Sequence, residues 1–259
     1  WNSVGFIHGV MNTDNTSISC ETIDYGPCAF MDSFEANKVF SSIDQFGRYA
    51  FSNQARVAPW NLSRLAETIL FLISDNTSEA IKVVEEILSD FDKHFNNSLN
   101  ILSSRKLGIK NKSKTTISLY SDLLNLMEIG KADFTHTFKS LKAILIKEDN
   151  SIFLNNFTDL NEENQRALSK WLGDWRKILK ENNDSKTKAI ELLSASNPEF
   201  IMRNHLVEKS IRKATKGDFS DFEILSDLLL NPFEMKENYE AFYKAPTDRE
   251  VVHQTFCGT

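Results

Sequence analysis

Cysteine, glycine and proline are scarce in this sequence, and it has no long apolar run. Its 3 cysteines are too few and too unevenly spaced for a disulfide scaffold or for a zinc site made of paired ligands. Such sparing use of cysteine is typical of a reducing compartment, and we expect the cytoplasm. The best apolar run, residues 68–73, is much shorter than the roughly 18 to 20 apolar residues of a membrane-spanning helix. The sequence therefore predicts no membrane segment.

Blocks of charge of one sign are also absent. The net charge of −6 arises from acidic and basic residues that are interspersed along the chain. This pattern lacks the basic surface that nucleic acids and anionic membranes select, so neither is expected as a partner. With 41% hydrophobic and 25% charged residues, the composition is that of a globular protein with a sizeable core.

Only the first part of the sequence has the pattern of strands and loops. Residues 4–7 lead into a polar loop, and residues 17–19 and 21–23 alternate like short strands, which predicts a β-hairpin region around the loop. Beyond about residue 55, apolar residues recur at three- and four-residue steps, which predicts helices. These are expected just after Pro59, from Ser78, and over 113–128, 133–147, 160–181, 185–194, 204–214 and 219–230.

The two patterns divide the chain into residues 1–55, which hold the loops, and residues 56–259, a helical body. No linker-like stretch or repeat separates the two parts, so we expect one continuous domain. Residues 103–112, rich in serine, lysine and asparagine, are predicted to form a long surface loop. Trp171 and Trp175, one helical turn apart, are expected in the core or at an interface.

The segment His8–Asn15 has the spacing of the protein-kinase catalytic loop, H-R-D-L-x-x-x-N. Asn15 then occupies the position of the metal-binding asparagine. Asp24, in Asp24-Tyr25-Gly26, matches the D-F-G aspartate that bridges metal and phosphate. Hard divalent cations select such oxygen ligands. The spacing predicts a site for Mg²⁺, with Mn²⁺ as the alternative, on the phosphates of ATP.

Val10 stands where a kinase has its catalytic aspartate, and valine can neither accept a proton nor orient a hydroxyl. Asp14, in the same loop, is the candidate general base, because a carboxylate close to Mg²⁺ stays ionised. Asparagine and aspartate are also the usual turn formers, so a solvated turn is the alternative interpretation. His8 is expected to be a structural hydrogen-bonding residue.

The sequence offers several further candidate site residues. Arg48 and Arg64 are expected to form structural ion pairs that fix the segment after the metal loop, with substrate contact as the alternative. The remaining histidines are not clustered in the sequence, so no metal is assigned to His94, His136, His205 and His253.

These motifs and others resemble the selenoprotein O family, the protein adenylyltransferases also called YdiU. The resemblance runs in order through both ends of the chain. It is carried by His8–Asn15, Thr22–Pro27, Gly47–Phe51, Trp60–Ala66, Asn197–Pro198, Arg203–His205, Val207–Glu208, Gly217–Asp218, Asn231–Phe233 and Thr255–Thr259.

The resemblance implies a mainly α, protein-kinase-like C-lobe with a C-terminal helical extension. It further implies transfer of AMP from ATP to Ser, Thr or Tyr hydroxyls of proteins, with the nucleotide flipped relative to kinases. Asp14 would then be the proton acceptor, Asn15 and Asp24 would bind Mg²⁺, and Asp24 would also touch ATP. The expected location is the cytoplasm of a bacterium, or the mitochondrion of a eukaryote.

The resemblance also bears on the cysteines. It implies a redox link between the tail that holds Cys257 and the segment after Asp24-Tyr25-Gly26, where Cys28 lies. A free surface thiol is the alternative.

The family's glycine-rich loop, phosphate-binding lysine and phosphate-holding arginines are not found in this sequence, which begins at Trp1. We therefore expect an N-lobe upstream, required as a partner, and weak or no ATP binding by these residues alone. A noncatalytic helical pseudokinase module that binds partners is the rival interpretation. A small-molecule phosphotransferase is a third, but it would need a base at Val10.

Overall fold

The structure, a computed structural model, describes residues 1–19, 21–22, 24–182 and 185–256. It is mainly helical, with 60% helix and 3% strand. The single two-stranded sheet of the described residues pairs β1, Phe6–Ile7, with β2, Ala29–Phe30. The main-chain N–H of Met31 donates to the carbonyl of Gly5 at 2.8 Å beside this pair.

The expected strands at residues 17–19 and 21–23 are wrong for every described residue of this stretch, none of which is in a strand. Ile18, whose side chain should have faced a core, is 80% exposed. Without a buried face or a pairing strand, alternation alone does not form a sheet. Ile23 itself lies outside the described residues.

The helical prediction is confirmed. The helices are α1 Gln54–Ile73, α2 Thr77–Ser89, α3 Phe91–Lys106, α4 Lys114–Ile129, α5 Phe134–Lys147, α6 Ser151–Leu154, α7 Glu162–Asn182, α8 Lys186–Ser196, α9 Asn204–Ala214, α10 Ser220–Leu230 and α11 Glu240–Tyr243. One start differs: α1 begins before Pro59 and includes it, at the cost of one main-chain hydrogen bond. No helix among the described residues is both long and apolar enough to cross a membrane.

The chain forms two compact units. The first comprises residues 1–6, 29–35 and 100–253, and the second comprises residues 7–28, 36–99 and 254–259. The prediction that the chain divides at about residue 55 stays a prediction.

The core of the first unit is aromatic, as the tryptophan spacing predicts. Trp171 and Trp175 are buried on α7, with ring centroids 6.1 Å apart. Both indole N–H groups are satisfied, since Trp171 donates to the carbonyl of Leu119 at 2.8 Å and Trp175 to that of Leu107 at 2.9 Å. The expectation of a core position is confirmed for both residues.

Residues 103–112 form the expected surface loop only at residues 110–112, which are exposed and lie outside any helix. Helix α3 continues through Lys106, and Leu107 and Ile109 are buried behind it. Lys106 is itself 2% exposed: its Nζ donates to Asn197 Oδ1 at 2.8 Å and lies 4.1 Å from the ring centroid of Phe138. A long apolar stem, an amide oxygen and an aromatic face together allow this lysine to enter the core.

Burial lowers the pKa of Lys106 to about 7 from the ordinary 10.5. At a pH between these two pKa values, Lys106 is protonated in the unfolded chain and largely neutral in the folded one. The free energy of unfolding therefore rises with pH over this range. We expect the free energy of unfolding to rise from pH 6.5 to 9 by about 2 kcal/mol more in the wild type than in Lys106→Met. Urea denaturation at both pH values measures this.

Lys110→Met is the control for the Lys106 experiment, since it removes an exposed lysine of the same segment and should keep the wild-type pH dependence. Parallel stability profiles for wild type and Lys106→Met would contradict the prediction.

A second buried charge organises the first unit. Arg203, 1% exposed, donates to Asp32 and to both carboxylate oxygens of Asp133, at 2.9 and 3.1 Å. Burial opposes the charge of Arg203, but the two carboxylates outweigh it and raise its pKa. His136 lies 3.3 Å from Arg203, and His205 interacts electrostatically with Asp32. Both histidines therefore border the same ion-pair network, His136 at Arg203 and His205 near Asp32.

Candidate active site

The segment predicted to be the catalytic loop lies in the second unit and ends in a single 3₁₀ turn, Thr13–Asn15. Asn12 caps this turn, since its side-chain oxygen accepts from the main-chain N–H of Asn15 at 3.2 Å. The hydroxyl of Thr16 donates to the carbonyl of Asn12 at 3.0 Å. Asparagine, threonine and aspartate favour such turns, because their short side chains bond to the nearby main chain.

Asn15 is oriented by its own loop. Its Nδ2 donates to the carbonyl of Val10 at 3.0 Å. With the amide nitrogen engaged, Oδ1 is the atom of this side chain left for a cation, and an amide oxygen suits Mg²⁺. The donor set at this position fits the predicted metal.

Val10 and Asp14 differ sharply in burial. Val10 is 8% exposed and belongs to the core, whereas Asp14 is exposed on the 3₁₀ turn. A proton acceptor must be reachable by an incoming hydroxyl. Within this loop, the position of the kinase aspartate is closed to solvent and the position four residues later is open.

Asp24 begins a tight turn, where its Oδ1 accepts from the main-chain N–H of Gly26 at 2.8 Å. A carboxylate accepts several hydrogen bonds or ligands, so this contact leaves coordination capacity. Burial lowers the pKa of His8, and the nearby charge of Asp24 opposes that shift. The charge of Asp24 is therefore felt at His8, the first residue of the predicted catalytic loop.

Glycine at position 9 allows the two segments to approach. Gly9 has φ +88°, and a Cβ added there would lie 2.6 Å from the carbonyl oxygen of Pro27. Any side chain at this position would push the loop away from the segment that follows Asp24.

Two residues of α1 that sequence reasoning missed hold the loop in place. Gln54 accepts from the main-chain N–H of His8 at 3.1 Å. Asn61, 4% exposed, donates to the carbonyl of Met11 at 2.9 Å and to the hydroxyl of Thr16 at 2.8 Å. An amide on an otherwise apolar helix face was the available signal, because buried polar groups need partners.

His8 is buried, and its Nδ1 accepts from the main-chain N–H of Val10 at 3.3 Å, which confirms its structural role.

Thr255 closes the same unit from the far end of the chain. It accepts from the main-chain N–H of Ser42 at 3.0 Å, donates to the carbonyl of Phe40 at 2.8 Å, and its hydroxyl donates to the carbonyl of Pro27. The proposed redox partner Cys257 lies outside the described residues. Cys28 is a free thiol, and burial raises its pKa.

The two arginines of this unit behave differently. Arg64 forms an ion pair, with Glu67 at 2.6 Å. Arg48 does not, since no ion pair links it to a carboxylate in the described part of the chain. Its guanidinium lies instead over Trp60, 4.5 Å from the ring centroid. Arg64 thus forms an ion pair, but within its own helix α1 and not with the segment after the metal loop. The ion-pair expectation is wrong for Arg48, whose partner is an aromatic face.

The described residues contain no group of three or more His, Cys, Asp or Glu side chains suited to a metal. The candidate ligands are thus one amide, Asn15, and one carboxylate, Asp24. Two protein ligands are typical of a magnesium ion whose remaining ligands are phosphate oxygens and water.

A family model and individual relatives of this chain carry names of the same kind of enzyme. The family model for protein adenylyltransferase SelO matches residues 1–230. Proteins named "Protein nucleotidyltransferase YdiU" are similar over 100% of this chain: 42% identical in Clostridium perfringens (strain SM101 / Type A), 44% in Rhizobium meliloti (strain 1021) and 43% in Jannaschia sp. (strain CCS1). The alignments cover 51%, 52% and 52% of those relatives, so the chain spans about half the length of the curated relatives it matches.

Proposed function

The chain belongs to the protein adenylyltransferase SelO family, and from this we propose that it supplies the base and the metal ligands for transfer of AMP from ATP to protein hydroxyls. Its relatives are named protein nucleotidyltransferases. The acceptors we propose are Ser, Thr and Tyr side chains, and the fold we propose is a kinase-like C-lobe that works with an N-lobe, in the cytoplasm.

The contrast between Val10 and Asp14 is the observation that carries this proposal. A phosphotransferase of the kinase type needs a carboxylate where Val10 is buried. An exposed carboxylate at Asp14 supports a base that acts from the other end of the loop. This displacement suits a nucleotide that offers its α-phosphorus, rather than its γ-phosphorus, to the acceptor.

In the proposed reaction, Asp14 accepts the proton of the acceptor hydroxyl as its oxygen attacks the α-phosphorus. The bond from that phosphorus to the bridging oxygen breaks, and pyrophosphate leaves. Asn15 Oδ1 and the Asp24 carboxylate would hold Mg²⁺, which when bound neutralises charge on the phosphates. Gln54 and Asn61 keep the loop in register, and the glycine at position 9 keeps it close to the turn of Asp24.

Labelled ATP tests the reaction type. The full-length protein is incubated with a mixture of protein acceptors, Mg²⁺ and ATP labelled at either the α- or the γ-phosphate. We expect label on protein from α-labelled ATP alone, because AMP retains the α-phosphate and pyrophosphate carries the γ-phosphate away. Transfer of γ label would instead indicate a phosphotransferase, and no transfer of either label would favour the noncatalytic interaction module.

A further inference from the structure

The second unit, which holds the candidate active site, also contains a small open pocket that the proposed chemistry does not use. It has a volume of about 260 Å³ and is lined by Arg48, Asn53, Arg56, Val57 and Trp60. Both arginines are exposed, and neither has a carboxylate partner in the parts of the chain that the structure describes. In a protein of net charge −6, two unpaired arginines in one pocket mark a site for a negative group.

Arg48 is fixed in this pocket. Its guanidinium lies 4.5 Å from the ring centroid of Trp60 and 5.7 Å from that of Tyr49. Its main-chain N–H and that of Tyr49 each donate to the carboxylate of Asp44 at 2.8 Å. Stacking and main-chain anchoring reduce the entropy that a free arginine would lose when it binds an anion, while the fork of N–H donors stays available.

The size of the pocket favours a small acidic group over a whole nucleotide. Small-molecule sites usually have volumes of about 300–1,000 Å³, and this pocket is smaller and open to solvent. It suits one acidic side chain presented by a polypeptide better than a whole nucleotide. Trp60, 42% exposed, adds an apolar wall against which the methylene groups of a glutamate can pack.

Helix α1 links this pocket to the catalytic loop. Residues 53, 56, 57 and 60 recur at three- and four-residue steps and line the pocket. Gln54 and Asn61, which bond to the loop, lie on the adjacent face, offset by one residue or about 100° around the helix. A polypeptide anchored on one face of α1 would therefore pass beside the loop held by the next face.

We propose that the pocket formed by Arg48, Arg56 and Trp60 binds an acidic side chain of the protein substrate near the hydroxyl to be modified. That the bound polypeptide is a substrate rests on the proposed function. The pocket would thus favour acceptor hydroxyls that have glutamate or aspartate nearby in the polypeptide.

Fluorescence anisotropy with two labelled peptides, one of alternating Glu and Ser and one of alternating Gln and Ser, tests the pocket in this chain. We expect the glutamate peptide to bind about tenfold more tightly than the glutamine peptide, the gain of one well-formed charged contact. Arg48→Gln and Arg56→Gln should each remove most of that preference. Arg56 is an exposed helix residue, so the second variant should fold even if the first does not.

Lys82→Gln is the control, because it removes one positive charge from an exposed residue of α2 in the same unit, away from the lining of the pocket, and it should keep the preference. Equal binding of the two peptides, or an equal loss in Lys82→Gln, would overturn the proposal. So would binding of inorganic phosphate or ATP through Arg48 without binding of the glutamate peptide. The titrations contain no ATP and no metal, so they stay interpretable if Asp14 proves not to transfer AMP.

Discussion

Replacing Asp14 with asparagine is expected to slow AMP transfer by about 10²- to 10⁴-fold, the usual contribution of a positioned general base. Asparagine keeps the size and the turn-forming character of the residue but cannot accept the proton. Because Asp14 is exposed on its turn, the fold should tolerate the change. The measurement is the initial rate of protein labelling from α-labelled ATP by the full-length protein.

The loss should appear in kcat, with little change in the ATP concentration needed for half-maximal rate, since Asp14 is not a proposed metal ligand. Asp75→Asn, an exposed carboxylate between α1 and α2, should keep the full rate. An Asp14→Asn protein that labels its substrates at the wild-type rate would remove Asp14 from the mechanism.

The largest effect on stability is expected at Arg203, where replacement by methionine should cost about 3–5 kcal/mol in the free energy of unfolding. The change leaves Asp32 and Asp133, both mostly buried, without the cation that lies between them. Arg203→Lys should recover only part of the loss, because an ammonium cannot reproduce the two-pronged contact with Asp133. Urea denaturation gives the free energies.

Arg212→Met on α9, the helix that begins directly after Arg203, is the control, since its contact with Glu208 is exposed and 4.0 Å long, and its effect should stay below about 0.5 kcal/mol. Adding Asp32→Asn and Asp133→Asn to Arg203→Met should restore part of the stability, because the uncompensated charges are gone. Asparagine at position 133 can still accept from the N–H of His136, where Asp133 caps α5 at 2.7 Å. A triple variant no more stable than the single one would mean that lost packing, not stranded charge, dominates.

The helices could be predicted well because the residues that determine a helix lie within or next to that helix in the sequence. The periodic apolar residues and the caps Ser113 and Asp133 lie within the segments they define, so α4 and α5 begin and end within a residue or so of the expected bounds. The loop from His8 to Asn15 could be predicted for the same reason: spacing along the chain fixes which residues share a turn.

The burial of Lys106 depends on a partner far away in the sequence, and the stacking of Arg48 depends on a partner of an unexpected residue type. Asn197 lies 91 residues after Lys106, and no pattern in residues 103–112 predicts that the two side chains meet. Arginine next to glycine and tyrosine suggests an ion pair, but the observed partner, Trp60, is an aromatic residue on a helix. The pairing of β1 with β2 escaped prediction too, since strands of two residues have no detectable period.

The contact between Thr255 and Pro27 joins residues 228 positions apart and has a consequence for synthesis on the ribosome. The catalytic-loop segment and the turn of Asp24 leave the exit tunnel before the helices α1 to α11, and Thr255 leaves it only after them. Contacts of such sequence separation form late in folding. The segment that follows Asp24 should therefore reach its anchored position only after translation has passed residue 255, so a half-made chain lacks this support next to a candidate metal ligand.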